Sequence, residues 1–237
     1  MAGSRLAAAR GARARAGTQR SLARYERAKR VLDVAVAATA LVLFLPLWGL
    51  IALLIVLTSP GPAIYRQAHV VGRGGREFTV FKFRTMYVGA DDARHRRAVA
   101  RFVRGRGPLA VVGGRAARQR VYKLVNDPRI TPVGRVLRRT GLDEVPQFIN
   151  VLRGEMSVVG PRAPLQYEYQ LYGPQEKERL RVLPGITGWY QVRARSCVPF
   201  QEMVRLDLEY IQKRSLGLDL KIMLLTPWVM LTGKGAF

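Results

Sequence analysis

The chain has one cysteine, Cys197, and two histidines, His69 and His95. A lone cysteine excludes an intramolecular disulfide, and one cysteine with two histidines cannot build a zinc cluster. Histidine-based triads are poorly provided for. Acidic residues are also scarce, 16 against 40 lysines and arginines, which leaves a formal charge of +24. So strong an excess restricts partners to anions: nucleic acid, an acidic membrane face or phosphorylated substrates. There is no internal repeat. Apolar residues make up 49% of the chain, enough for a core, and wholesale disorder is excluded.

The basic charge is concentrated first in residues 1–30, which carry nine basic residues and only Glu26 as an acid. The first half of this tail reads as disordered and solvated, and Ser21–Arg30 as a basic helix suited to anionic lipid. Val31 to Thr58 follows as one apolar run interrupted by Asp33 and Pro46. A straight helix of that length would reach roughly 40 Å, against a hydrocarbon core of about 30 Å. Proline at the centre predicts a break into two arms of similar length. Basic residues flank both ends: Lys29 and Arg30 before, Arg66, Arg73 and Arg76 after. Positive charge is retained on the cytoplasmic side, so a helix that enters one leaflet, breaks at Pro46 and returns fits both flanks. A kinked single span is the alternative.

Ser59-Pro60-Gly61-Pro62 ends this segment. Ala63–Arg66 and Phe78–Phe83 are predicted to pair around the Gly72–Gly75 turn. Residues 87–126 form an Arg-rich insert, predicted as a helix and a loop. Leu142, Val145, Phe148, Ile149 and Leu152 recur at helical spacing up to Gly154. Amphipathic helices are predicted near 164–182 and 198–213. Leu216–Leu231 suits a helix lying at a membrane interface or packed on the core. The expected fold is α+β and mainly α, a membrane monotopic protein with one re-entrant helix, interfacial helices and a small β-hairpin. Its expected parts are a basic tail 1–28, a membrane helix 29–58 and a cytoplasmic catalytic domain 59–237.

Chemistry is most plausible at Asp143-Glu144, which follow Arg135, Arg138 and Arg139. Acids at a helix start are ordinarily capping residues. Here the surrounding cations exceed what a cap needs, and a helix start also holds phosphate. Adjacent helical residues diverge, so the two carboxylates suit different tasks, one as nucleophile and one as metal ligand or orienting group. The other acidic pair, Asp91-Asp92, reads as solvated. Downstream, Gly160-Pro161-Arg162 and Pro184-Gly185-Ile186-Thr187-Gly188 hold backbone close to a neighbour, and Arg162 is a forked donor matched to phosphate.

Taken together, these motifs resemble the bacterial sugar transferase family, the monotopic polyprenyl-phosphate phosphoglycosyl transferases. The resemblance runs from about Lys29 to Phe237. It includes Lys29-Arg30, Asp33 and Pro46, then Lys82-Phe83-Arg84-Thr85-Met86 and Asp127-Pro128-Arg129-Ile130-Thr131. Leu142-Asp143-Glu144-Val145-Pro146-Gln147 with Asn150, Val159-Gly160-Pro161-Arg162, Gln191 and the terminal Gly233-Lys234-Gly235-Ala236-Phe237 complete it. The chain departs from the family pattern at Gly141, where a serine is common, at Ala163, in Gln67–Gly72, and in Arg193-Ala194-Arg195 after Gln191.

The resemblance implies attack of Asp143 on the β-phosphate of a UDP-sugar, release of UMP, and passage of the phosphosugar to polyprenyl (undecaprenyl) phosphate. It implies Glu144 as the second catalytic acid, Mg2+ at Asp143 and Glu144, and phosphate binding by Arg138, Arg139, Arg162, Lys82 and Arg84. The expected location is the inner (plasma) membrane, in contact with membrane lipid, and nucleic acid is not an expected partner. Three other readings remain to be discriminated: a basic nucleic-acid binder, a non-catalytic membrane scaffold, and a one-step glycosyltransferase releasing UDP.

Overall fold

The computed structural model describes residues 2–112, 119–121, 127–194 and 197–231. Arg195, the terminal Gly233–Phe237 motif and parts of the 87–126 insert lie outside the described residues. Helix α1 (Ala2–Leu43) occupies the segment that composition assigned in part to a disordered tail. Alanine and arginine are strong helix formers, and the apolar half of the same helix is anchored to the core.

Helix α2 (Leu45–Thr58) follows with Pro46 in its first turn, and the segments Gln19–Leu43 and Leu45–Thr58 are bent by 63°. Proline tolerates the first turn of a helix but not its interior, so the break falls at Phe44, just ahead of it. Among the described residues no single helix is long and apolar enough to cross a membrane, but this bent pair meets the length and composition together.

Two polar interruptions in the apolar runs are buried and satisfied. Asp33, in α1, accepts from the Val158 N–H at 3.0 Å and lies 3.9 Å from Lys29. Asp219, fully buried, accepts from Tyr25 at 2.9 Å, Lys29 at 3.1 Å and Tyr210 at 2.7 Å. Arg30 donates to the carbonyls of Val151 and Leu152. These bonds fasten α1 to the rest of the chain, and Ala37 then joins Val151, Val158, Val159, Tyr210 and Ile222 in the main core. Beyond Ala37 the helix stops burying itself. Val42, Leu43, Leu45, Leu53, Val56 and Leu57 are all exposed.

The predicted hairpin is present: β1 (Ile64–Val71) pairs antiparallel with β2 (Glu77–Phe83) around a 3₁₀ turn at Arg73–Gly75. The insert contains α3 (Ala93–Val103), as expected, and also an unforeseen hairpin of β3 (Ala110–Val112) with β4 (Gln119–Val121). Helix α4 (Pro132–Thr140) leads to a 3₁₀ turn (Leu142–Gln147) and α5 (Phe148–Arg153), which stops at Gly154. Asn150, fully buried, accepts from the Phe81 N–H and donates to the Thr79 carbonyl and Glu155, stitching α5 to β2.

Strand β5 (Ser157–Val159) pairs in parallel with β6 (Gly185–Thr187). The glycines around them hold backbone against backbone: a Cβ on Gly185 would lie 2.0 Å from the Gly160 nitrogen. The single helix predicted near 164–182 is instead α6 (Gln166–Tyr169), α7 (Pro174–Lys177) and a 3₁₀ turn at Glu178–Arg181. Gly173-Pro174 interrupts it. Helices α8 (Trp189–Arg193), α9 (Phe200–Lys213) and α10 (Leu216–Leu231) complete the described fold. It is mainly helical, with three two-stranded sheets where one hairpin was expected.

Candidate active site

The acidic pair is positioned by the end of α4. Thr131 caps the start of that helix, its Oγ1 accepting from the Gly134 N–H at 2.9 Å. At the other end Gly141 takes φ 71°, the left-handed turn that glycine adopts without steric cost. A Cβ there would also meet the Met230 methyl at 2.2 Å, so the departure from serine accommodates a side chain of α10. The chain then enters the 3₁₀ turn with Asp143 and Glu144 in its first turn. The expected helix start is thus a 3₁₀ one, containing Pro146. At three residues per turn, adjacent side chains diverge by about 120°, which separates the two carboxylates.

Two cations reach this turn from different elements. Lys82, on β2, donates to Glu144 Oε1 at 3.1 Å. Arg138, near the end of α4, is oriented by a 2.8 Å bond from its Nε to Thr85 Oγ1. Burial pulls the Arg138 guanidinium below its usual range, and Asp143 is the leading charge that opposes this, ahead of Asp127. Arg139, its neighbour, is exposed on the last turn of α4.

A second cluster borders the first. Asp127 is buried and is gripped by Arg129, with bonds of 2.9 Å to Oδ1 and 2.6 Å to Oδ2. The bonds from Arg129 hold this carboxyl below the usual range. Arg129 also donates to the Asp91 carbonyl and lies 3.8 Å from the Asp92 carboxylate. The Asp91 side chain accepts from the Ala93 N–H, so this pair is not merely solvated but opens α3. On α3, His95 Nδ1 lies 2.6 Å from the Tyr167 hydroxyl. Burial first, then Arg162, lowers the His95 pKa below its usual 6.5.

Arg162 lies within electrostatic range of His95. Its Nη1 contacts both oxygens of buried Glu168, at 3.2 and 3.0 Å, and Glu168 raises its pKa. Its carbonyl accepts from Arg179, which forms a fully buried ion pair with Asp207 at 2.7 Å. Removing one member of such a pair costs about 3–5 kcal/mol, so Arg179 and Asp207 belong to the framework that holds Arg162.

One predicted phosphate ligand is placed elsewhere. Arg84 is 5% exposed, and its guanidinium bonds to the carbonyls of Ser59, Pro60 and Gly61, with Ile55 at 3.5 Å. It therefore ends on backbone at the exit of α2 and offers no face to a phosphate. Thr85, Arg129, Glu168 and Asn150 were not singled out by role from sequence, although the first two and Asn150 stand inside recognisable motifs.

The donor set bears on a metal. Among the described residues no group of three or more His, Cys, Asp or Glu side chains converges. Asp143 and Glu144 offer two hard oxygen donors, which suits Mg2+, an ion commonly held by one or two carboxylates plus substrate phosphates.

Comparison with known proteins gives the family. The family model described as "Bacterial sugar transferase" matches residues 24–233. The galactosyl transferase CpsE of Streptococcus agalactiae serotype III is 40% identical over 213 residues, covering 88% of this chain but 43% of that protein. The exopolysaccharide production protein ExoY of Rhizobium meliloti is 40% identical over 210 residues, covering 89% of this chain and 88% of its own. A UDP-glucose:undecaprenyl-phosphate glucose-1-phosphate transferase of Caulobacter vibrioides is 41% identical over 217 residues, 88% of this chain and 72% of that one.

Proposed function

This chain belongs to the bacterial sugar transferase family, and from that premise we propose that it moves a sugar-1-phosphate from a UDP-sugar to polyprenyl phosphate, releasing UMP. The reaction would open assembly of a surface polysaccharide or glycoconjugate at the inner membrane. The observation that carries this reading is that Lys82 from β2 bonds Glu144, while Arg138 from α4, held by Thr85, bears its charge toward Asp143, in the turn Leu142–Gln147. A capping pair would need neither cation.

The physical problem is repulsion. A carboxylate approaching a diphosphate faces about 4 kcal/mol per pair of like charges at 4 Å near a protein surface. Arg138, Arg139, Arg162 and Lys82 are the cations proposed to offset it. The half-exposed Lys82–Glu144 pair contributes only about 0.2–1 kcal/mol, so Lys82 can exchange Glu144 for phosphate at little cost.

Asp143 then attacks. A bond forms from its carboxylate oxygen to the β-phosphorus, the bond from that phosphorus to the bridging oxygen breaks, and UMP leaves. An oxygen of polyprenyl phosphate attacks the same phosphorus and releases Asp143. The acceptor is already anionic, so no histidine base is required. Glu144 orients the site, and Asp143 and Glu144 would hold Mg2+. When bound, that ion would supply charge neutralisation and polarise the phosphoryl oxygens.

The bent pair α1–α2 is proposed as a re-entrant anchor, with residues 59–237 on the cytoplasmic side and 1–28 at the lipid surface. Exposed Leu224 and Trp228 on α10 would lie at the interface. The proposal is tested by supplying the purified protein with a panel of UDP-sugars and polyprenyl phosphate. UMP and a lipid-linked phosphosugar are the expected products. UDP would indicate one-step glycosyl transfer, and no turnover with any donor would favour the scaffold reading.

A further inference from the structure

Arg84 carries a charge into a buried place and meets only backbone there. Its guanidinium bonds to the carbonyls of Ser59 at 2.7 Å, Gly61 at 3.1 Å and Pro60, with Ile55 at 3.5 Å. These are the last turn and exit of α2, where unpaired carbonyls concentrate the negative end of the helix dipole. The fit is close. A Cβ on Gly61 would come within 2.5 Å of the Arg84 Nη1, so the exit loop leaves room for the guanidinium only with glycine there.

The neighbours of Arg84 point to a task beyond capping. Lys82 reaches Glu144. Phe83 packs with Ile51 and Ile55 of α2 and Leu137 of α4, and stacks edge-on against Trp48 at 6.1 Å. Thr85 accepts from Arg138, and its carbonyl accepts from the Thr131 N–H that starts α4. Of these four consecutive residues the outer two, Lys82 and Thr85, hold the acidic turn and its cations, and the inner two, Phe83 and Arg84, hold the end of the apolar helix.

We infer that Arg84 is a positioning residue that fixes the exit of α2 relative to the Asp143-Glu144 turn, and so sets where a lipid-borne phosphate meets the phosphosugar. This rests on the proposed reaction and on α2 as the membrane arm. On this reading the donor half of the site, built from β2, α4 and the 3₁₀ turn, keeps its own bonds between Lys82 and Glu144 and between Arg138 and Thr85 when the exit of α2 is released. The acceptor half depends on that exit.

The test separates the two half-reactions of the full-length protein in lipid nanodiscs. Arg84→Met keeps the bulk and removes the forked donor, and Arg84→Lys restores a single cationic donor. For Arg84→Met, adduct formation from labelled UDP-sugar without acceptor should stay within about threefold of wild type, while kcat/KM for polyprenyl phosphate falls by about tenfold or more, chiefly through KM. Arg84→Lys should recover part of that loss. Spin labels at exposed Leu57 on α2 and exposed Val136 on α4 supply a readout independent of activity. Their distance distribution should be narrow in wild type and broadened or shifted in Arg84→Met. Equal loss of both half-reactions, undiminished transfer, or an unchanged distance distribution would overturn the inference. If Arg84→Met does not fold, the Lys variant and its distances carry the same decision. A wild type that forms no adduct and no product would defeat the proposed reaction instead, with the distance measurement still judging the role of Arg84.

Discussion

At the scale of single residues, the chain spends its few acids on particular tasks. Asp33, Asp127, Glu168, Asp207 and Asp219 are each buried and each bonded to a named donor, although Asp207 Oδ1 is a buried oxygen with no hydrogen-bond partner. Asp143 and Glu144 instead stand in a partly open turn, Glu144 paired with Lys82. His95 makes a different kind of prediction. Its pKa is lowered by burial and then by Arg162 and, more weakly, Arg129, against the opposing effect of Glu168 and Asp92. A histidine held neutral in the folded state binds fewer protons than in the unfolded chain. Stability from this source is therefore complete above the unfolded pKa near 6.5 and falls as pH drops toward the folded value. The slope cannot exceed about 1.4 kcal/mol per pH unit. Denaturation of wild type and His95→Gln between pH 7.5 and 5.5 should show the wild type losing stability relative to the variant as pH falls. A difference independent of pH, or a wild type that gains stability relative to the variant on acidification, would contradict the neutral, half-buried state of His95.

At the scale of elements, legibility followed the periodicities. The β1–β2 hairpin was readable because glycines punctuate two apolar stretches, and α9 because Phe200, Met203, Val204 and Tyr210 repeat on one face. The α1–α2 break was readable because Pro46 admits few alternatives. The stretch 164–182 was misread as one helix because the apolar spacing carries across Gly173-Pro174, where the backbone breaks and α7 starts anew. The β3–β4 hairpin was missed although Gly113-Gly114 is a turn signal in the sequence; the arginines around it obscured the alternation. Arg84 was misassigned because a motif places a cation near a site without saying which way it points. The re-entrant reading of α1–α2 makes an element-scale prediction. In a background lacking Cys197, single cysteines at exposed Arg20 and Arg76 should both react with an impermeant reagent from the cytoplasmic side only. Reaction from opposite sides would establish a full span.

At the scale of the molecule, the fold joins an apolar arm to a basic body, through the polar bonds of α1 to Val151, Val158 and Asp219 and through residues 82–85 against α2. The unburied leucines of α2 and the exposed Leu224 and Trp228 of α10 give it a face suited to lipid, and the net charge of +24 suits an anionic headgroup layer. On the proposed reaction, a site next to the exit of α2 would meet a soluble nucleotide sugar and a lipid phosphate without either leaving its phase. The central claim is that Asp143 carries the phosphosugar between them. The direct measurement is to incubate the protein with labelled UDP-sugar in the absence of acceptor, then map the label by mass spectrometry. The account predicts release of UMP and a phosphosugar on the peptide containing Asp143. That adduct should be absent in Asp143→Asn, which keeps its shape and capping capacity and so should fold. An adduct on another peptide, or one that persists in Asp143→Asn, would contradict it.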